Sequence, residues 1–163
     1  MSGKATPATR ALDAAGVWYR IHEYEHDPAV TNFGMEAAGA LGVEVALIHK
    51  TLLVKVDSNG RPDFVVGVVP VDALLDLKAV AAAIGAKKAE MAKPTDAERV
   101  TGYVVGGISP LGQRKLLRTV IHEDAEIFDT IFVSGGRRGL DIELRGPDLA
   151  MLLGARFARI AAR

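Results

Sequence analysis

Lys50-Thr51-Leu52-Leu53-Val54-Lys55-Val56 and Phe64-Val65-Val66-Gly67-Val68-Val69-Pro70-Val71 are two apolar, β-branched runs on either side of Asp57-Ser58-Asn59-Gly60. β-Branched side chains suit a pleated surface. Asn-Gly accepts the positive φ angles that a tight hairpin turn requires. The stretch therefore reads as an antiparallel hairpin, with strands around Lys50–Val56 and Phe64–Val71. An antiparallel pair joined by a short turn does not belong to a regular succession of βαβ units.

The surroundings of the hairpin agree. Upstream, Thr6 caps a helix with Pro7 at its first position, and Gly16 stops it after about Ala15. Val17 to Tyr24 alternates apolar and polar residues as a strand, which Asp27-Pro28 ends. Asn32 caps a helix to about Leu41, closed by Gly42. Downstream, Asp76 begins an Ala-rich helix that Gly85 terminates. Strands follow near Ala89–Met91, Leu116–Ile121, Ile131–Ser134 and Leu140–Leu144, with a helix between Pro94 and Val100. Pro147-Asp148 opens the last helix. Strands and helices mixed without regular alternation predict an α+β fold, as a single domain over residues 1–163 with a curled, mixed or largely antiparallel sheet.

The chain has 163 residues, 49% of them hydrophobic and 25% charged, the composition of an ordinary globular domain. Twenty basic and twenty acidic residues give a formal net charge of +0, so bulk charge predicts no general affinity for nucleic acid. RNA contacts then fall to local patches such as Arg114/Lys115/Arg118, Lys87/Lys88 or Arg137/Arg138. The chain has no cysteine, which excludes disulfides, a thiolate nucleophile and Cys-ligated metals. The start, Met1-Ser2-Gly3-Lys4, lacks an apolar signal core, and no stretch approaches the roughly 20 apolar residues of a membrane span. A cytoplasmic protein is expected.

Gly106-Gly107-Ile108-Ser109-Pro110-Leu111-Gly112-Gln113-Arg114-Lys115 is the loop richest in chemical possibility. A phosphate-binding loop with Gly107 and Gly112 as its glycines needs Lys-Ser/Thr next, and Gln113-Arg114 stand there instead. A hydrolase nucleophile elbow needs a glycine where Leu111 stands. It also needs a backbone N–H after the serine, and Pro110 has none. Ser109 is therefore not expected to act as a nucleophile. What remains is backbone N–H groups that converge on an oxygen, or simply a tight turn.

His22-Glu23-Tyr24-Glu25-His26 satisfies the zinc-protease pattern His-Glu-x-x-His, which requires a helix. Here the segment continues the strand-like alternation of Val17, Tyr19 and Ile21. On a strand the histidines would stand about 13 Å apart, too far for one zinc ion. No metal and no cofactor is expected. His49 and Lys50 should point to opposite faces of their strand, and His122, beside Glu123 and Asp124, is expected at the surface.

Several segments together resemble one family. They are His26-Asp27-Pro28 with Phe33-Gly34, Lys50-Thr51-Leu52-Leu53-Val54, Leu75-Asp76-Leu77-Lys78 and Lys87-Lys88-Ala89-Glu90-Met91. Further on come Thr101-Gly102-Tyr103, the Gly106–Lys115 loop and the run from Val133 to Leu144. In order and spacing, from Thr6 to Ala161, they resemble the YbaK/EbsC family of free-standing aminoacyl-tRNA deacylases. That family is similar to the editing domain inserted in bacterial prolyl-tRNA synthetase.

The resemblance implies a curled, barrel-like mixed sheet flanked by helices, and removal of a wrong amino acid from tRNA. The expected substrate is cysteine on proline tRNA, with cysteine tRNA as a further carrier. The expected partners are the mischarged tRNA and prolyl-tRNA synthetase. Carried over residue by residue, the resemblance implies Lys50, Gly106 and Asp141 as catalytic residues. Tyr24, Phe33, Thr51, Gly107 and Ser134 fall on substrate-binding positions. No departure occurs at these positions. In the YbaK branch the substrate's own thiol is the attacking group, which asks for no enzymic nucleophile. Two other readings stand beside this one: removal of another small residue such as alanine, and a non-catalytic module that binds tRNA or a synthetase.

Overall fold

A computed structural model describes residues 5–163; Met1 to Lys4, the start that lacks an apolar signal core, lie outside the described residues. The hairpin forms as its sequence requires. β2 (His49–Ser58) pairs antiparallel with β3 (Arg61–Pro70), and Ser58 faces Arg61 across a two-residue loop. Asn59 and Gly60 carry φ of 55° and 77°, the left-handed pair that a primed turn needs.

The remaining strands join this hairpin or a second, smaller sheet. Before the hairpin come helix α1 (Pro7–Ala15), strand β1 (Tyr19–Glu23) and helix α2 (Phe33–Leu41). After it come β4 (Leu74–Leu75), α3 (Leu77–Ile84), β5 (Lys88–Met91), α4 (Pro94–Thr101) and β6 (Thr119–His122). β7 (Ile131–Arg137), β8 (Leu140–Leu144), α5 (Gly146–Leu153), β9 (Arg156–Ala158) and β10 (Ala161–Ala162) complete the chain. The larger sheet has the order β5-β2-β3-β6-β9, antiparallel at β5/β2/β3 and parallel at β3/β6/β9. The smaller, β1-β8-β7, is antiparallel throughout, and β10 pairs with β4. Among the described residues a single parallel bridge, Ile48 to Phe132, links the two larger sheets, which do not close into a barrel. This is the expected α+β architecture with mixed sheets.

Helix termini follow the local chemistry. Thr6 and Thr9 exchange side-chain and backbone hydrogen bonds in a capping box at the start of α1. Asn32 accepts from the Met35 N–H and Asp76 from the Ala79 N–H, satisfying donors that an α-helix leaves unpaired. The principal core lies between the two larger sheets, where Leu53, Val66, Val68 and Ile121 meet Val133, Ile142 and Leu144, with Leu12 of α1 and Leu149 of α5. The other face of the larger sheet packs Val54, Val65 and Val69 against Val80 of α3. Among the described residues no helix is long and apolar enough to cross a membrane.

Two expectations need correction. The strand placed at Leu116–Ile121 begins only at Thr119, because β3 offers parallel partners from Val66 to Val68 alone and Leu116 is exposed. His122 is not a surface residue. It is buried, and its Nδ1 accepts hydrogen bonds from the N–H groups of Ile160 and Ala161, both at 3.2 Å. Arg163, near Asp72 and Asp124, ties down the same terminal segment. Short β4, β9 and β10 carry no periodic signal that the sequence could reveal.

His122→Ala leaves one buried and one partly buried backbone donor without an acceptor. It should cost about 1–3 kcal/mol in denaturant unfolding and abolish hydrogen-exchange protection at Ile160 and Ala161.

Candidate active site

Among the described residues the outer edge of strand β2 is paired only just before its start and along its second half. At one end Ile48 bridges to Phe132 of β7. At the other the ladder with β5 runs from Val54 to Asp57, and the Ala92 N–H donates to the Leu53 carbonyl. Between these points the edge opens onto a cavity of about 560 Å³, within the range of small-ligand sites. In an antiparallel strand peptide groups alternate in direction, so Thr51, two residues before Leu53, directs its N–H and C=O into this gap.

Seven of the eight residues singled out in the sequence line the cavity: Tyr24, Phe33, Lys50, Thr51, Gly106, Ser134 and Asp141. Ser134 and Asp141 stand opposite each other in the β7/β8 ladder. Their sheet turns this polar pair toward the gap, while Val133 and Ile142, the next residues along, enter the core. Phe33 opens α2 directly after the Asn32 cap.

The eighth residue is placed differently. The Gly107 N–H donates to the Val104 carbonyl at 2.9 Å, and a side chain at Gly107 would collide with the Arg137 backbone at 2.7 Å. Gly107 is thus part of the loop's packing and does not line the cavity, which leaves Gly106 as the glycine of this loop that faces it. Gly106 has φ of +90°, and a Cβ there would lie 2.9 Å from both the Phe33 ring and Arg138 Nε. Both facts demand glycine.

The rest of the loop is a rigid support. Ser109 is fully buried, and its hydroxyl accepts from the Leu111 N–H. The Gln113 side chain donates to the Ser109 carbonyl at 2.9 Å, and the Tyr103 hydroxyl donates to the Leu111 carbonyl at 2.6 Å. Gln113, which excludes a phosphate loop by its identity, fastens the turn.

The His-Glu-x-x-His pattern separates onto different partners, as a strand demands. His22 on β1 meets Glu143 at 2.9 Å, and His26 meets Glu36 at 2.7 Å. His49 is a lining residue that sequence reading left without a role. It is buried, its Nδ1 bonds the Leu47 carbonyl, and burial pushes its pKa down to about 4, so the ring is neutral at pH 7. Its Nε2 and the Thr51 hydroxyl are buried with no hydrogen-bond partner among the described residues. The alternation of the strand was the one available signal for His49.

Two charges dominate the site. Lys50 is half-buried; burial lowers its pKa, and Asp72 opposes the shift. Asp141 is 6% exposed and has no hydrogen-bond or ion-pair partner among the described residues, and burial pushes its pKa up to about 7. Tyr24 rises to about 12, first through burial and next through the nearby Asp141 charge. Near neutral pH the cavity therefore offers an ammonium group and a carboxyl that exchanges its proton readily.

Asp141 also sets a pH dependence of stability. Between the ordinary aspartate pKa near 3.8 and about 7, the folded state holds a proton that the unfolded state has released. Stability should therefore fall as pH rises across that window, by up to ~1.4 kcal/mol per pH unit. Asp141→Asn should flatten this slope in denaturant titrations and gain stability over the parent at pH 8.

The model of the aminoacyl-tRNA editing domain matches residues 27–152. EbsC of Enterococcus faecalis, named as a Cys-tRNA(Pro)/Cys-tRNA(Cys) deacylase, is 38% identical over 159 residues, 97% of this chain and 94% of its own. ProXp-y of Escherichia coli K12, named as a multifunctional Ser/Thr-tRNA deacylase, is 31% identical over 100 residues, 61% of this chain and 60% of its own. A solved structure described as a trans-editing enzyme for prolyl-tRNA synthetase superposes with a TM-score of 0.83 at 27% identity, over 100% of this chain and 99% of that one. With the family model spanning residues 27–152 and EbsC 38% identical over nearly the whole chain, the chain belongs to the aminoacyl-tRNA editing domain family.

Proposed function

We propose that this protein is a free-standing aminoacyl-tRNA deacylase that removes cysteine mischarged onto proline tRNA. One observation carries the reading: Lys50, Gly106 and Asp141, distant in sequence, line one cavity in which neither charge is neutralised by an ion pair among the described residues. Similarity to EbsC over nearly the whole chain supports cysteine as the amino acid.

An aminoacyl ester is reactive enough that positioning and oxyanion stabilisation supply most of the catalysis. In this mechanism the ester carbonyl sits between the Lys50 ammonium and the Gly106 N–H, which donates to no backbone carbonyl among the described residues. Their charge and dipole oppose the negative charge that develops on the carbonyl oxygen. The cysteine thiol of the substrate loses its proton to the Asp141 carboxylate and attacks its own ester carbon. The new sulfur–carbon bond closes a thiolactone, the carbon–oxygen bond to the ribose breaks, and the ribose oxygen takes the proton back from Asp141. Proton exchange suits a carboxyl held near neutrality. Thr51, Ser134 and Tyr24 line the pocket for the amino acid and the terminal nucleoside.

ProXp-y favours a second reading, in which a small hydroxyl-bearing amino acid is removed. A hydroxyl is a poorer nucleophile than a thiol, so the two readings separate on rate. Prolyl-tRNA synthetase is the proposed docking partner, since a chain of net charge +0 has little general attraction for phosphate. The proposed compartment is the cytoplasm, where mischarged tRNA is found.

In a deacylation panel, cysteinyl-tRNA for proline should turn over faster than the seryl, alanyl and prolyl forms, and added synthetase should increase the difference. Faster release of serine or alanine would replace cysteine as the substrate, and binding without turnover of any would replace catalysis. Lys50→Ala should lower kcat/KM by about a hundredfold or more, the cost of losing an oxyanion-stabilising group. An unchanged rate in that variant overturns its role.

A further inference from the structure

Arg138 stands at the rim of the cavity, held in place but with most of its donors unused. Its guanidinium carbon lies 4.8 Å from the centre of the Phe33 ring, a stacking contact. Its Nε–H donates to the Val105 carbonyl at 2.9 Å. A Cβ at Gly106 would meet Arg138 Nε at 2.9 Å, so the absence of a side chain there makes room for the guanidinium. Phe33, Val105 and Gly106 all line the cavity, so the arginine is fixed by the rim itself.

Neither Nη group has a hydrogen-bond or ion-pair partner among the described residues. The neighbouring Arg137, by contrast, pairs with Glu23 at 3.0 Å, and Arg118 reaches Asp63 at 3.3 Å. An exposed arginine is ordinarily a mobile side chain. One that is stacked and tied through Nε has already lost much of the rotamer freedom that binding would otherwise remove. Its remaining fork of N–H donors matches the geometry of a phosphate diester.

We infer that Arg138 is the anchor for the phosphate that joins the terminal nucleoside of the bound RNA to the nucleotide before it. The inference rests on the proposed function in that the cavity takes the aminoacylated 3′ end. Lys50 and Asp141 then act on the ester inside, while the polynucleotide must leave across the rim where Arg138 stands. Phe33 acquires a specific part in this arrangement: it is the platform that holds the guanidinium rather than a surface for stacking a base.

The test is a binding comparison on the full chain that requires no turnover. The trinucleotide CCA, adenosine and inorganic phosphate are titrated into the parent protein, Arg138→Gln and Arg138→Lys, followed by NMR shifts of cavity amides at two or more salt concentrations. The parent should bind CCA about ten- to a hundredfold more tightly than adenosine, the range of a charge-assisted hydrogen bond. In Arg138→Gln that preference should collapse, and the logarithmic salt slope for CCA should fall by about 0.7, the signature of one lost phosphate contact on a single strand. Arg138→Lys should recover the salt slope but only part of the affinity, since an ammonium lacks the planar fork.

Three results overturn the inference: no preference for CCA in the parent, an unchanged preference in Arg138→Gln, or equal weakening of CCA and adenosine. The last would mean that Arg138 merely supports Phe33 and Gly106. Inorganic phosphate shifting the same amides as CCA would support a phosphate site, and phosphate acting elsewhere would count against it. Inactivity toward every aminoacyl-tRNA would instead overturn the proposed function and leave this binding difference intact.

Discussion

The pairing of β2 is the constraint on which the molecule depends. Along its inner edge β2 is hydrogen-bonded to β3 throughout, while its outer edge is met by β7 at Ile48 and by β5 from Val54 onward. A strand cannot satisfy two divergent sheets at every residue, so the outer edge between those points is open. The cavity occupies this opening. Its position is a consequence of the stretch of β2 left unpaired between the Ile48 bridge and the β5 ladder, and Lys50 and Thr51 reach it because they lie on that stretch.

The same arrangement explains the electrostatics. Closing the gap with apolar side chains would give a larger core, but the cavity instead keeps a desolvated lysine and, with no partner among the described residues, a buried aspartate and two buried polar atoms, His49 Nε2 and Thr51 Oγ1. Each such group costs stability when left unsatisfied. The surrounding hairpin core and the capped helices offset that cost. A ligand carrying complementary donors, acceptors and charge recovers it on binding.

Local chemistry made much of the fold legible before any coordinates. Thr6-Pro7, Asn32 and Asp76 announce helix starts, Gly16, Gly42 and Gly85 announce their ends, and Asn59-Gly60 forces a hairpin. These signals act within a few residues. β4, β9 and β10 leave no trace in the sequence because two or three residues cannot display a period, and they are strands only by virtue of their partners. His122 departs from its local pattern for a related reason. Its acidic neighbours suggest water, whereas its true surroundings are the backbone of Ile160 and Ala161, some forty residues onward.

By itself the sequence determined the α+β class, the ends of the main helices, the hairpin, and, through its resemblance to the editing family, seven residues that line the cavity. These follow from backbone propensities and from residue identities that the chain carries locally. Only the tertiary structure decided that Gly106 faces the cavity while Gly107 spends its N–H on Val104. It alone raised the Asp141 pKa by burial and laid Arg138 across Phe33. Desolvation and the direction of a hydrogen bond depend on atoms brought together from distant parts of the chain, and no local pattern encodes them.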